Sequence, residues 1–356
     1  MNDAAIRLQS LLPDESTAMT VTLAENYRYL AGFTGTAAVL LVTGTDLFLV
    51  TDGRYADQAR EQAKGWNVVL HQGSVAKALI DLSVSSGIRS LWFEADSTPF
   101  GFYETMRELG RESRVTLEPK RDVVESLRRI KSAAELNIIK AAFEITNHAF
   151  EYIFTRIQAG MTERQVAWEL EKFMREAGAD KIKENHVIAS GPRSALPHGR
   201  ATDRALARGD LLTMDIGAVV GGYYSDMTRT IAVGTADGRQ REVYGWVLEA
   251  QVMALGRMAP GAVCEETDAE IRDFFSARGV ADHFSHSLGH ALGLQIHESP
   301  RLAVGDKTVL QAGMVITVEP GLYFPGWGGV RIEDPVIITN EGHYNLAAVT
   351  KELIVV

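Results

Sequence analysis

The feature that most restricts the fold of this 356-residue chain is that part of it occurs twice. Gly160, Glu169, Leu170, Phe173 and Gly178 return 101 positions later as Gly261, Glu270, Ile271, Phe274 and Gly279. The register continues into two acidic runs. Asp215 lies six residues after Gly209 and Glu319 six after Gly313, and each half adds a second acid further on, Asp226 or Glu333. Amphipathic helices resemble one another by chance, but chance does not also align glycines and paired acids. Self-similarity of this kind predicts two like α/β units, neither able to cover its apolar face alone, meeting across a shared interior.

Each of the four acids sits in a β-branched, apolar run: LLTMDIGA holds Asp215, SDMTRTIAV holds Asp226, MVITVEPG holds Glu319 and GVRIEDPVII holds Glu333. Such runs predict strands. Side chains alternate along a strand, so Thr213 and Asp215 share one face while Leu212, Met214 and Ile216 share the other. Thr317 with Glu319, Asp226 with Thr228 and Arg331 with Glu333 repeat the arrangement, so four strands offer a polar face to a cavity. A lone strand acid is more often simply solvated. Four acids brought together repel, each close pair by ~4 kcal/mol at about 4 Å and an effective dielectric near 20, so something positive must sit among them. Two divalent ions would balance four negative charges. His290 joins Asp215, Asp226, Glu319 and Glu333 as a fifth candidate ligand.

With 46% hydrophobic residues the chain suits two domains with a substantial core. Its net charge of −10 argues against a nucleic-acid partner, which calls for a basic surface. Cys264 is the single cysteine, which excludes an internal disulfide framework and a cysteine-rich zinc site and fits a reducing compartment. The opening MNDAAIRLQSLLPDEST has no basic region followed by an apolar stretch, and no later run reaches the ~20 apolar residues of a membrane helix. A cytoplasmic protein without a membrane partner is expected. Residues 1–122 alternate strand-like runs (AAVLLV, LFLVT, NVVLH, SLWFEA) with helical stretches after Tyr55, Val75 and Phe100, an α/β texture. From Val123 a long amphipathic helix is expected, carrying the capping box Ser132-x-x-Glu135 and running to about Ile157. Thr162-x-x-Gln165 caps the next helix and Gly178 ends it. The expected domains are therefore 1–122 and 123–356.

The run SHSLGHALGLQIHESP spaces His286, His290 and His297 by four and seven. Together with MDIGA, SDMTRT, VEPG and GVRIED it resembles the pita-bread metallopeptidases, and within them the proline-specific branch of Xaa-Pro dipeptidase (prolidase) and aminopeptidase P. ENYRYLAGFTG and TDGRY match the amino-terminal domain of that family, LRRIKSAAEL its linker helix and IASGPRSALPHG the start of its catalytic part, so the resemblance covers nearly the whole chain. It implies an α/β (α+β) protein in which a creatinase-like amino-terminal α/β domain precedes a pseudo-symmetric pita-bread catalytic domain. It also implies that the metal ligands of the family fall on Asp215, Asp226, His290, Glu319 and Glu333 without substitution. Manganese is the expected ion, with cobalt and zinc as alternatives, since an oxygen-rich site with one imidazole suits a hard or borderline cation.

The same resemblance gives the other residues their expected roles. Glu319 is the proton acceptor beside an activated water, His297 stabilises the oxyanion, His198 in ALPHG and His286 orient the proline residue, and Arg331 supports the acids. Each of those three histidines could instead be a hydrogen-bonded structural residue. Arg301 in HESPRL and Arg54 in TDGRY are candidates for the substrate carboxylate, and both could equally be surface arginines. The expected activity is hydrolysis of the Xaa-Pro imide bond at the amino terminus of small peptides, dipeptides first, by a homodimer. Aminopeptidase P would use the same ligands on longer peptides. Creatinase-like chemistry shares the fold without the metals, methionine aminopeptidase usually lacks the first domain, and a non-catalytic binding module would be marked by lost ligands. One stretch departs from the pattern: Glu184-Asn185-His186 stands where many relatives carry an aromatic-acid pair, which alters the wall of the substrate mouth.

Overall fold

The computed structural model describes residues 3–184 and 186–356, so Asn185 of the departing stretch lies outside the described residues. The chain divides into two compact units, Met1–Arg128 and Arg129–Val356.

The first unit is built on a six-stranded sheet in the order Asn67–Leu70, Leu47–Thr51, Ala38–Val42, Thr17–Val21, Ser90–Glu94, Thr116–Lys120. The pairs on either side of Ala38–Val42 are antiparallel and the remaining three are parallel. Leu40, Leu41, Val42, Leu49 and Val50 are buried as continuous apolar runs because the sheet is covered on both faces, so no residue needs to be polar. Helices Ala56–Gln62, Val75–Ser85 and Phe100–Ser113 lie where the sequence places them. Thr17–Val21 was not legible as a strand. It is buried at every residue, and with two threonines and one alanine it has neither alternation nor a strongly apolar run.

The second unit carries the repeat. Helices Ala133–Phe154 and Glu163–Glu176 pack on the sheet Met227–Ala232, Leu211–Ile216, Val187–Ser190, with Phe150, Ile153, Val166, Leu170, Met214 and Ile231 in one core. Helices Gly238–Leu255 and Cys264–Ser276 pack on a second sheet that includes Gly289–Ala291, Val315–Val318 and Asp334–Ile338, with Val247, Ile271, Phe275, Ile316, Val318 and Val336 in the other core. The backbone repeats bond for bond. Gly160 N–H donates to Leu206 and Leu206 N–H to Met161, both at 2.8 Å; Gly261 N–H donates to Leu310 at 2.9 Å and Leu310 N–H to Ala262 at 2.8 Å. Gly209 and Gly313 turn the chain into the acidic strands at φ of 92° and 90°, a conformation that side chains with a Cβ rarely adopt.

The single helix expected from Val123 is two helices, Val123–Arg128 and Ala133–Phe154. Lys131 is the reason: its N–H donates to Gly313 at 2.9 Å and its buried ammonium pairs with Glu298 at 3.1 Å, contacts that fix a non-helical backbone before Ser132. Ser132 and Glu135 then form the expected reciprocal cap. Among the described residues no helix is long and apolar enough to cross a membrane.

Candidate metal centre

The acids gather where the strands of the two halves open. Asp215 lies within Leu211–Ile216, Asp226 immediately before Met227–Ala232, Glu319 immediately after Val315–Val318, and Glu333 between Gly328–Arg331 and Asp334–Ile338. Three of the four thus sit at strand ends rather than inside strands. His290 is the middle residue of Gly289–Ala291, where the register shifts. A Cβ on Gly289 would lie 1.9 Å from the Thr317 carbonyl, so only glycine lets the His290 strand come this close to the Glu319 strand.

On the second-half side, Thr317 Oγ1 accepts the His290 N–H at 3.0 Å and donates to Glu319 Oε1 at 3.2 Å. His290 Nδ1 donates to the Ala291 carbonyl at 3.0 Å, which turns Nε2 towards Glu319 Oε1 at 3.3 Å and Asp226 Oδ2 at 3.9 Å. A histidine anchored through Nδ1 presents Nε2 as a ligand. Thr228 Oγ1 donates to Glu333 Oε2 at 2.6 Å, while Glu333 Oε1 is buried without a hydrogen-bond partner. Asp226, His290 and Glu333 offer ligand atoms that all lie within 4.8 Å of one another. Burial and the surrounding Asp226, Glu319 and Asp215 hold the Glu333 carboxyl well above the ordinary carboxylate range. An orphaned carboxylate oxygen, three converging ligand atoms and an oxygen-rich donor set fit a divalent cation.

On the first-half side, protein cations are already present. Arg331 NH2 donates to Asp215 Oδ2 at 2.7 Å, and the Lys183 ammonium contacts both Asp215 Oδ1 and Asp226 Oδ1. Burial acts against every charge here, yet Lys183 and Arg331 keep Asp215 below its ordinary value, and Asp215, Asp226 and Glu333 keep Lys183 above its own. Arg331 is fixed by three further bonds, Nε to Thr228 Oγ1 at 3.1 Å, NH1 to the Pro197 carbonyl at 3.1 Å and NH1 to Tyr323 Oη at 2.8 Å. Arg331, Thr228 and Thr317 were legible in the sequence as neighbours of the acids on the polar strand faces, whereas Lys183 and Tyr323 were not.

A cavity of about 480 Å³ opens on Asp215, Asp226, His290 and Glu319. His198, His286, His297, Arg301 and Arg331 also line it. His297 packs edge-on against His290, ring centres 4.4 Å apart, and burial together with the charge of His290 lowers it to about 4. His286 donates from Nδ1 to the Ser287 carbonyl and accepts at Nε2 from Tyr323 Oη, both at 2.8 Å, so it is tied to Arg331 through the tyrosine. Arg54 lies in the other unit, where its guanidinium pairs with Asp52 at 2.8 Å. His186 is half-buried, with Nε2 3.4 Å from the Gly217 carbonyl.

Residues 137–340 match the model of metallopeptidase family M24, and residues 7–130 match that of the creatinase/prolidase N-terminal domain. The chain belongs to metallopeptidase family M24. Its second unit has the pita-bread fold that the motifs implied. The chain is 38% identical to an Xaa-Pro dipeptidase of Pyrococcus horikoshii over 361 residues, covering 99% of each. An Xaa-Pro dipeptidase from Bacillus anthracis superposes with a TM-score of 0.96 at 41% identity over 99% of both chains. An X-Pro aminopeptidase from Thermotoga maritima superposes with a TM-score of 0.90 at 31% identity over 98% of this chain and 100% of that one.

Proposed function

We propose that this protein is a cytoplasmic, divalent-metal-dependent exopeptidase that hydrolyses the Xaa-Pro imide bond at the amino terminus of small peptides, chiefly dipeptides, and works as a homodimer. The observation that carries the reading is one cavity, of a size suited to a short peptide, that exposes Asp226, His290 and Glu319 together with His198, His286 and His297. Likeness over nearly full length to proteins named Xaa-Pro dipeptidase supports the substrate.

Asp215, Asp226, His290, Glu319 and Glu333 would hold two ions, manganese by preference, which when bound polarise the scissile carbonyl and acidify water. Glu319, whose Oε1 lies 3.3 Å from His290 Nε2, accepts the proton of the attacking water. It passes that proton to the proline nitrogen, which as a tertiary amide has no hydrogen of its own. His297 is neutral near pH 7 and donates a ring N–H to the developing oxyanion. His198 and His286 orient the proline residue. Asp226 accepts the free ammonium of the substrate, which limits cleavage to the amino terminus. Arg301, at the cavity wall, takes the proline carboxylate.

The likeness to the Thermotoga X-Pro aminopeptidase favours one second reading, cleavage of longer Xaa-Pro peptides by the same residues. The test is metal-free protein reloaded separately with manganese, cobalt or zinc and assayed on an Xaa-Pro dipeptide and the corresponding tripeptide. Faster turnover of the dipeptide, abolished by chelation, is expected. Preference for the tripeptide selects the second reading, and no cleavage of either peptide with any metal overturns both.

A further inference from the structure

Lys183 has no role in the reading above, yet it reaches the middle of the centre. It follows the short strand Lys181–Ile182, its N–H donates to the Gly217 carbonyl at 2.8 Å, and its side chain is 6% exposed. Its ammonium covers Asp215 Oδ1 and Asp226 Oδ1, while Arg331 covers Asp215 Oδ2. The ligand oxygens therefore fall into two groups. Glu333 Oε1 has no hydrogen-bond partner and Asp226 Oδ2 lies 3.9 Å from His290 Nε2, whereas both oxygens of Asp215 and the other oxygen of Asp226 are held by cationic side chains. An ammonium and a divalent ion cannot share the same pair of carboxylate oxygens.

We propose that Lys183 is a resident cation of the metal centre. It neutralises Asp215 and Asp226 in the metal-free chain and must withdraw before a second divalent ion can enter. Asp226, His290 and Glu333 would be free to hold an ion with the lysine in place, whereas Asp215 would become free to do so only after the lysine leaves. Lys183 can move because it is a point charge on a flexible four-carbon stem and borders the cavity. Arg331 cannot serve in this way, since Thr228, Pro197 and Tyr323 hold its guanidinium in place. The inference rests on the ligand set given above, but not on which peptide is cleaved.

The experiment is equilibrium dialysis of the metal-free full-length protein and of Lys183→Met against manganese chloride, with bound ions counted by elemental analysis and melting recorded with and without manganese. The wild type is expected to take a second ion about 10- to 100-fold more weakly than the first, the scale of displacing one charge-assisted contact. In Lys183→Met the gap should close, the metal-free protein should melt lower and the rise on adding manganese should grow. Lys183→Gln is read in the same way if Lys183→Met does not fold. Two ions of equal affinity in the wild type, or a gap unchanged in the folded neutral variant, overturns the proposal. If neither protein retains manganese, the ligand set itself is wrong and the inference falls with it.

Discussion

In the first half of the second unit, Asp215 and Asp226 meet the protein cations Lys183 and Arg331; in the second half, Glu319 and Glu333 meet threonine hydroxyls and one imidazole. The backbones of the two halves repeat down to matched glycine turns and matched hydrogen bonds, but the charges do not repeat. The reason is geometric. Turns and strand packing are local to each half, so each half must satisfy them separately. The acids converge on a common interior, where the protein cations need not be matched half for half. Symmetry in the scaffold is thus compatible with an asymmetric centre, covered by protein charge on one side and open to a metal on the other.

The largest effect expected from this asymmetry is a difference in sign. Asp215→Asn leaves Lys183 and Arg331 buried with less compensation and should destabilise the metal-free protein by about 3–5 kcal/mol, the cost of breaking a buried ion pair. Glu333→Gln has the opposite consequence, since it removes a carboxyl crowded by other acids while keeping an oxygen for Thr228, and should raise the urea midpoint of the metal-free protein. Both variants should lose metal and peptidase activity. If both midpoints move in the same direction, the two sides are not compensated differently and the comparison fails.

What could be read from sequence follows the same division between local and convergent features. The acidic strands, the capping boxes at Ser132 and Thr162 and the glycine register are written in consecutive residues, so periodicity and turn chemistry reveal them. Lys183 was hidden because its partners are 32 and 43 residues away and the two-residue strand before it is too short to leave a periodic pattern. Tyr323 was hidden because an aromatic in the run GLYF reads as core, and only the hairpin pairing Gly321–Phe324 with Gly328–Arg331 brings its hydroxyl to Arg331. The break at residues 129–132 depends on Gly313 and Glu298, far along the chain, so helical periodicity ran through it.

A smaller effect separates ligation from catalysis within the second half. His297 touches His290 but bonds none of the acids, so His297→Ala should keep its manganese and lose about 10²–10³-fold in kcat, the scale of one oxyanion donor. His290→Ala should instead fail to retain metal after gel filtration. Equal metal loss in the two variants means that His297 is part of the ligand shell, and the division between ligand and stabiliser then has to be redrawn.

The smallest effect concerns the two arginines proposed for the substrate carboxylate, one in each unit. Arg301 lines the cavity and bonds Asp306 through its backbone N–H at 2.8 Å, whereas the Arg54 guanidinium is engaged by Asp52. The Arg54–Asp52 pair is exposed, with the arginine side chain 74% accessible, and pairs of this kind contribute little to stability. Arg301→Ala should therefore reduce kcat/KM on a free Xaa-Pro dipeptide by about 1.5–3 kcal/mol, the value of a hydrogen bond to a charged group. Cleavage of the carboxamide-capped dipeptide should hardly change, because that substrate brings no carboxylate to bind. Arg54→Ala should leave both substrates near the wild-type rate. Equal losses on both substrates in Arg301→Ala would make Arg301 a structural part of the wall, and a loss confined to the free dipeptide in Arg54→Ala would transfer the carboxylate to the first unit.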